Sequence, residues 1–225
     1  MIDIKKQVEK LFEAGAHLGH KKNKIHPKAK KYIYTINQGT SIINLEKTVE
    51  LLEKTKEFIK KLKEEKKTIL FVGTKKTASL IIGKICQEKN IPFVSIKWPA
   101  GLLTNFETIN KNIKKLKKLK KEKEEGVWKK FVKHEQLKLE KELKKLEKLY
   151  GGISTLEKRP DAIFIIDIKK ERNALKEANQ TNIPAIAIVD TNVNPDLVDY
   201  PIPANDDSPS SIEYLVKEIT ETYEK

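Results

Sequence analysis

The sequence predicts an α/β protein: a doubly wound parallel sheet with an inserted antiparallel coiled-coil helical hairpin. Three observations carry this. Short, nearly continuous apolar runs alternate with amphipathic helical stretches, and strands buried on both faces belong to parallel sheets covered by helices. Between two of those runs, residues 107–150 are rich in lysine and glutamate, with apolar residues near the heptad period. The length, 225 residues, suits one domain, or one domain with an appendage.

The elements follow in order. Asp3 to Ala14 has Ile4, Val8, Leu11 and Phe12 on one helical face and stops at Gly15. A basic loop, His17–Lys31, comes next. Two short strands, Tyr32–Ile36 and Ser41–Ile43, flank the turn residues Asn37-Gln38-Gly39. Leu45–Glu64 is a helix with Leu45, Val49, Leu52, Phe58 and Ile59 near one stripe. Strand–helix alternation then begins, with strands at Thr68–Val72, Phe93–Lys97, Ala162–Asp167 and Ala185–Asp190. Helices are expected over Thr77–Lys89 and Lys170–Gln180. Val198–Ile202 is short and carries proline, which demotes it to an edge or an end. Ser210–Thr222 closes the chain as a helix, with Ser210 or Ser211 as its cap.

Between the second and third of these strands, Glu107–Lys123 and Lys129–Tyr150 read as two helical arms broken at Glu124-Glu125-Gly126. Ile109, Ile113, Leu116 and Leu119 mark the first seam; Val132, Leu139, Leu143, Leu146 and Tyr150 mark the second. The expected division is a body of residues 1–106 and 151–225 and a hairpin of residues 107–150.

Composition narrows the function. The formal net charge is +14, and all but Arg159 and Arg172 of the 46 basic residues are lysines. The first 31 residues hold nine lysines against Asp3, Glu9 and Glu13; the hairpin holds 16 lysines against 8 glutamates. Such an excess attracts polyanions by long-range Coulomb forces and counterion release. Lysine is a point charge rather than a planar fork, so backbone and shape recognition outweigh base-specific readout. A lysine-biased genome is the plainer source of the same excess. No run approaches the roughly 20 apolar residues of a membrane span. The first residues lack an apolar core of the secretory kind. A lone cysteine, Cys86, excludes an internal disulfide framework and fits a reducing, cytoplasmic compartment.

No catalytic constellation emerges, and no cofactor is expected. Gly73-Thr74-Lys75-Lys76-Thr77 opens a helix after a strand, where amides attract anions. It lacks the spacing of a nucleotide-binding loop, and Lys75 and Lys76 suit an RNA phosphate better. Asp167 and Asp190 end strands and, with Asp206 and Asp207, are candidates for a hard cation; turn capping is the plainer role. His17, His20, His26 and His134 have no metal-ligand spacing. Cys86 falls on an apolar stripe with Leu80, Ile82 and Ile85 and reads as core. The loop bearing Lys21, Lys22, Lys24, His26, Lys28, Lys30 and Lys31, followed by Tyr32 and Tyr34, has the mix that grips phosphates and stacks on bases. Lys97, Thr104 and Asn105, at the root of the hairpin, form a second candidate surface.

Several blocks, in order, resemble the family of the second protein of the small ribosomal subunit, ribosomal protein S-two. They are Leu11-Phe12-Glu13-Ala14-Gly15-Ala16-His17-Leu18-Gly19-His20, Phe71-Val72-Gly73-Thr74-Lys75-Lys76, and Trp98 through Leu103-Thr104-Asn105-Phe106. Further blocks are Leu149-Tyr150-Gly151-Gly152-Ile153, Arg159-Pro160-Asp161-Ala162, Ile183-Pro184, Ile188-Val189-Asp190-Thr191-Asn192 and Ile202-Pro203-Ala204-Asn205-Asp206-Asp207. Ala100, Ile25 and Asn44 depart from the family's usual glycine, tryptophan and aspartate. The resemblance implies a flavodoxin-like body with a coiled-coil hairpin and a structural, non-enzymatic role on bacterial or organellar ribosomes. It implies small-subunit rRNA and neighbouring ribosomal proteins as partners, ribosomal protein S-one among them, and neither membrane nor DNA. Two other classes stay open on residues alone: a nucleotide- or metal-dependent α/β enzyme using the strand ends, and a coiled-coil adaptor for proteins.

Overall fold

The structure, a computed structural model, describes residues 4–224. In chain order its elements are α1 (Ile4–Glu13), β1 (Leu18–Lys21), β2 (Ile33–Asn37), β3 (Thr40–Ile43), α2 (Leu45–Glu64), β4 (Ile69–Val72), α3 (Lys76–Glu88) and β5 (Phe93–Val94). There follow α4 (Phe106–Glu124), α5 (Lys133–Tyr150), β6 (Ala162–Ile166), α6 (Arg172–Gln180), β7 (Ala185–Val189), β8 (Tyr200–Pro203) and α7 (Pro209–Glu224).

The continuous apolar runs pair, as expected, into one parallel sheet of five strands in the order β5-β4-β6-β7-β8. Numbered among themselves, these strands run 2-1-3-4-5, the flavodoxin-type order, with its switch point between β4 and β6. Successive residues of each strand face opposite layers. Ile69, Phe71, Phe164, Ile166, Ile186 and Ile188 pack under α1, α2, α3 and α7. Leu70, Val72, Ile163, Ile165, Ala185 and Ala187 pack against α6, the 98–103 segment and the start of α4. Both faces are therefore dry, which is why these strands show no polar alternation. The proline-bearing β8 lies at an edge, as its Pro201 and Pro203 require.

Several local expectations shift. The first helix runs from Ile4; Asp3 lies outside the described residues. The basic loop is more ordered than its composition suggests. It contains β1 and two 3-10 turns, Lys22–Lys24 and Pro27–Tyr32, and β1 pairs with β3 in a three-stranded antiparallel sheet. The hairpin turn between β2 and β3 is Gln38-Gly39, both at positive φ (47° and 77°), as a two-residue turn needs. The second parallel strand shrinks from Phe93–Lys97 to two residues, because only Phe93 and Val94 find register with β4. The final helix starts at Pro209, so Ser210 and Ser211 fall inside its first turn; proline suits that first position. Leu80 is 78% exposed and leaves the apolar stripe, whereas Cys86 is fully buried, with its thiol pushed up to about 12 by burial.

Helices α4 and α5 pack on each other in antiparallel fashion: Asn112 reaches Tyr150, and Lys123 reaches Glu140. Their seam is a small separate cluster of Leu116, Leu119, Trp128 and Leu143, with Leu139 and Leu146 beside it. The second helix begins at Lys133, four residues later than the sequence suggests. Val127–Lys130 instead forms a 3-10 turn that folds Trp128 inward over the end of the seam.

Candidate nucleic-acid interface

The carboxyl ends of β4, β6 and β7 meet where ligands sit in doubly wound folds. Here the chain fills that place itself. The Thr74 amide, next to the start of α3, donates to Glu171 at 2.8 Å, and so does the Thr74 hydroxyl, at 2.5 Å. Burial raises the Glu171 pKa against those two hydrogen bonds. The amide that an incoming phosphate would need is thus already taken by an internal carboxyl group.

Next to it, Lys75 points inward. Its ammonium lies 2.8 Å from Asp206, 2.6 Å from Asp207 and 3.3 Å from Asp167. Burial works against the charge, but hydrogen bonds to Asp206 and Asp207 outweigh it and hold Lys75 protonated. Asp206 is almost fully buried, and its pKa is pushed up to about 7 by burial and by the Asp167 charge. Asp167, at φ 64°, also caps the next turn through the Lys169 and Lys170 amides, the plainer of its two expected roles.

His20 ties the basic loop to this edge. Its Nδ1 lies 2.9 Å from Asp190, and its Nε2 lies 2.9 Å from the Asn192 amide nitrogen. The Asp190 hydrogen bond raises the His20 pKa over the opposing effect of burial. Thr191 receives the His20 amide at 2.9 Å, and its carbonyl receives the His26 amide at 2.8 Å. Gly19 makes this approach possible, because a Cβ there would stand 2.6 Å from Ser41 Oγ and 2.8 Å from Thr191. His20, Asp190 and Asp207 offer ligand atoms within 4.8 Å of one another and could hold a metal ion. Sequence spacing did not reveal the group, because His20 lies 170 residues before Asp190 and meets it only at the sheet's edge.

The candidate phosphate-binding residues divide by their partners. Lys21, Lys22, Lys24 and Lys30 are exposed and have no carboxylate in ion-pair range among the described residues. Lys28 and Lys31 share Asp196, at 3.1 and 2.8 Å. His26 caps the turn that carries Lys28, its Nδ1 accepting from the Lys28 amide. Lys76 and Lys97 are exposed, as are Thr104 and Asn105 where α4 begins. The 98–104 segment wraps around Glu177, a buried carboxylate of α6 to which Trp98 donates its indole N–H. Composition alone could not single out that glutamate.

Lys115–Glu142, Lys120–Glu147 and Lys123–Glu140 cross from one helix to the other, and Lys118–Glu122 and Lys121–Glu125 run along the end of α4. The α5 face opposite Leu139, Leu143 and Leu146 carries Lys138, Lys141, Lys144, Lys145 and Lys148, all exposed and without an ionic partner among the described residues. At 1.5 Å per residue, this carboxylate-free stripe is about 15 Å long.

Fold and site together define a class: a flavodoxin-type α/β protein whose strand-end site is closed by its own carboxylates and whose open cations lie on a loop and a helix face. The pattern of the family described as "Ribosomal protein S2" matches residues 11–225. The chain is similar to the small ribosomal subunit protein uS2 of Chlorobium chlorochromatii, 42% identical over 216 residues that cover 96% of this chain and 86% of the relative. It is likewise 42% identical to the uS2 protein of Coprothermobacter proteolyticus, covering 95% and 80% of the two chains. Against that of Petrotoga mobilis it is 44% identical, covering 95% and 74%. The chain belongs to the ribosomal protein S2 family.

Proposed function

We propose that the chain is a structural constituent of the small ribosomal subunit that binds small-subunit rRNA and takes no part in catalysis. Family membership carries the reading: relatives over nearly the whole chain are named small ribosomal subunit protein uS2. Residues 1–106 and 151–225 act as a rigid body, and residues 107–150 act as an inserted coiled-coil arm. Lys21, Lys22, Lys24 and Lys30, with Lys76 and Lys97, contact phosphates; Lys28, Lys31, His26, Thr104 and Asn105 line the same surface. Lys75 serves chiefly to neutralise the acids around it. The lysine stripe of α5 supplies a second contact, and linking two contacts raises the effective concentration of the second. Neighbouring ribosomal proteins, including ribosomal protein S-one, complete the partners, and the chain resides with ribosomes in the cytoplasm.

The unpaired loop lysines support this site, because a cation without an internal carboxylate is free to release counterions on binding RNA. No helix among the described residues is long and apolar enough to cross a membrane. Sedimentation of a cell lysate tests the proposal. The chain should travel with small subunits in moderate salt and leave them as salt rises. A chain that stays at the top of the gradient in moderate salt refutes the proposal.

A further inference from the structure

We infer that Glu177 aims the arm. It is a positioning residue, set in α6 and only 9% exposed. One carboxylate oxygen accepts the Trp98 indole N–H and the Gly101 amide, both at 2.9 Å. The other accepts the Leu103 amide at 3.1 Å, and the Thr104 amide and hydroxyl at 3.4 Å. Burial pushes the Glu177 pKa up, but these hydrogen bonds outweigh it and hold the value lowered, so the group is ionised.

The geometry is that of an anion nest whose anion is built in. Gly101, at φ +87°, turns the backbone so that the following amides converge. Two residues past Leu103 the chain reaches Asn105, and α4 starts at Phe106. Leu102 and Leu103 anchor the same segment by apolar burial, which holds it down but sets no direction. The hydrogen bonds from Trp98 to Thr104 are directional. They fix how the backbone enters α4, and hence where α4 and α5 point.

The consequence for binding rests on the two-contact reading above. If the arm swings, each contact keeps its cations, but the effective concentration of the second contact falls. Loss of Glu177 therefore lowers rRNA affinity and leaves the slope of log K against log salt unchanged. Loss of a contacting lysine lowers both.

The test uses the full chain with spin labels at Lys130→Cys, near the tip, and Lys60→Cys, on α2. Wild type should give one narrow distance distribution. Glu177→Gln should broaden or shift it, because the amide NH2 meets backbone N–H groups with a donor where they need an acceptor. Glu177→Ala should do so more strongly; if it does not fold, the volume-matched Gln variant carries the test alone. Ile188→Val, a mild core destabilisation away from the loop, should leave the distribution narrow. Unlabelled Glu177→Gln is then titrated with small-subunit rRNA at several salt concentrations. A Glu177→Gln distribution that superimposes on wild type overturns the inference, as does an affinity loss accompanied by a lower salt slope. Wild type that fails to bind rRNA refutes the proposed function instead, and the distance measurement still decides the role of Glu177.

Discussion

Replacing Lys21, Lys22 and Lys24 with alanine gives the most quantitative test of the loop as an RNA anchor. All three are exposed, and no described carboxylate lies in ion-pair range of any of them. Each can therefore neutralise one phosphate. A phosphate contact contributes about 0.7 to 0.9 to the slope of log K against log salt. Losing three lowers the slope by about 2 to 3. Between 50 and 200 mM salt, wild type should then lose about 20- to 40-fold more affinity than the triple variant. Filter binding or anisotropy with small-subunit rRNA over that range reads both slopes. Lys28 and Lys31 are the internal control, since Asp196 bridges them at 3.1 and 2.8 Å. With their shared carboxylate they present a net charge of one, so replacing both should change the slope by at most about one. A triple variant with the wild-type slope removes the loop from the interface. An equal change from the Lys28 and Lys31 pair shows that internal pairing does not decide which cations act.

Stability should fall as pH rises from 6 to 8. The His20 pKa is raised above its ordinary 6.5, so its contribution is complete below 6.5 and is lost as pH climbs through the folded value. Asp206, pushed up to about 7 from 3.8, acts in the same direction: the folded chain holds a proton that the unfolded chain releases. Urea midpoints at the two pH values should differ in wild type, and the difference should shrink but persist in His20→Asn, where Asp206 still holds its proton at the lower pH; equal wild-type midpoints contradict the linkage. Lys75→Met leaves Asp206 buried without its cation, at a cost of about 3–5 kcal/mol; the loss should be smaller at pH 5, where Asp206 takes up a proton. Denaturation midpoints that drop equally at pH 5 and pH 8 would count against this account. Gly152→Ala should destabilise by about 1–3 kcal/mol through overpacking, since its Cβ would lie 2.4 Å from the Phe93 carbonyl oxygen. An unchanged midpoint would mean that the segment yields. Adding ATP to Mg²⁺ should leave the melting temperature where Mg²⁺ alone puts it, because Glu171 already holds the Thr74 amide; a further rise with ATP would reopen the nucleotide reading.

The layered architecture was legible in local residue patterns. Three continuous apolar runs, Ile69–Val72, Ala162–Ile166 and Ala185–Val189, require strands buried on both faces, and the prolines of β8 require an edge. Periodicities of two and 3.6 report which side of an element is apolar, and that is a local property readable from neighbouring residues. The blocks from Leu11 to His20 and from Ile202 to Asp207 likewise disclosed the family, because motif identity is local too. Which charges are free depends on the folded arrangement. Lys75 and Lys76 are adjacent in the chain, yet Lys75 turns inward to Asp167, Asp206 and Asp207 while Lys76 stays exposed. Lys24 and Lys28 share one loop, but only Lys28 meets Asp196, which lies 168 residues further along. Glu177 looks like any helix glutamate until the sheet brings Trp98 and the Leu103 amide to it. Charge compensation depends on distances between residues far apart in sequence, and those distances exist only once the strand order has been set.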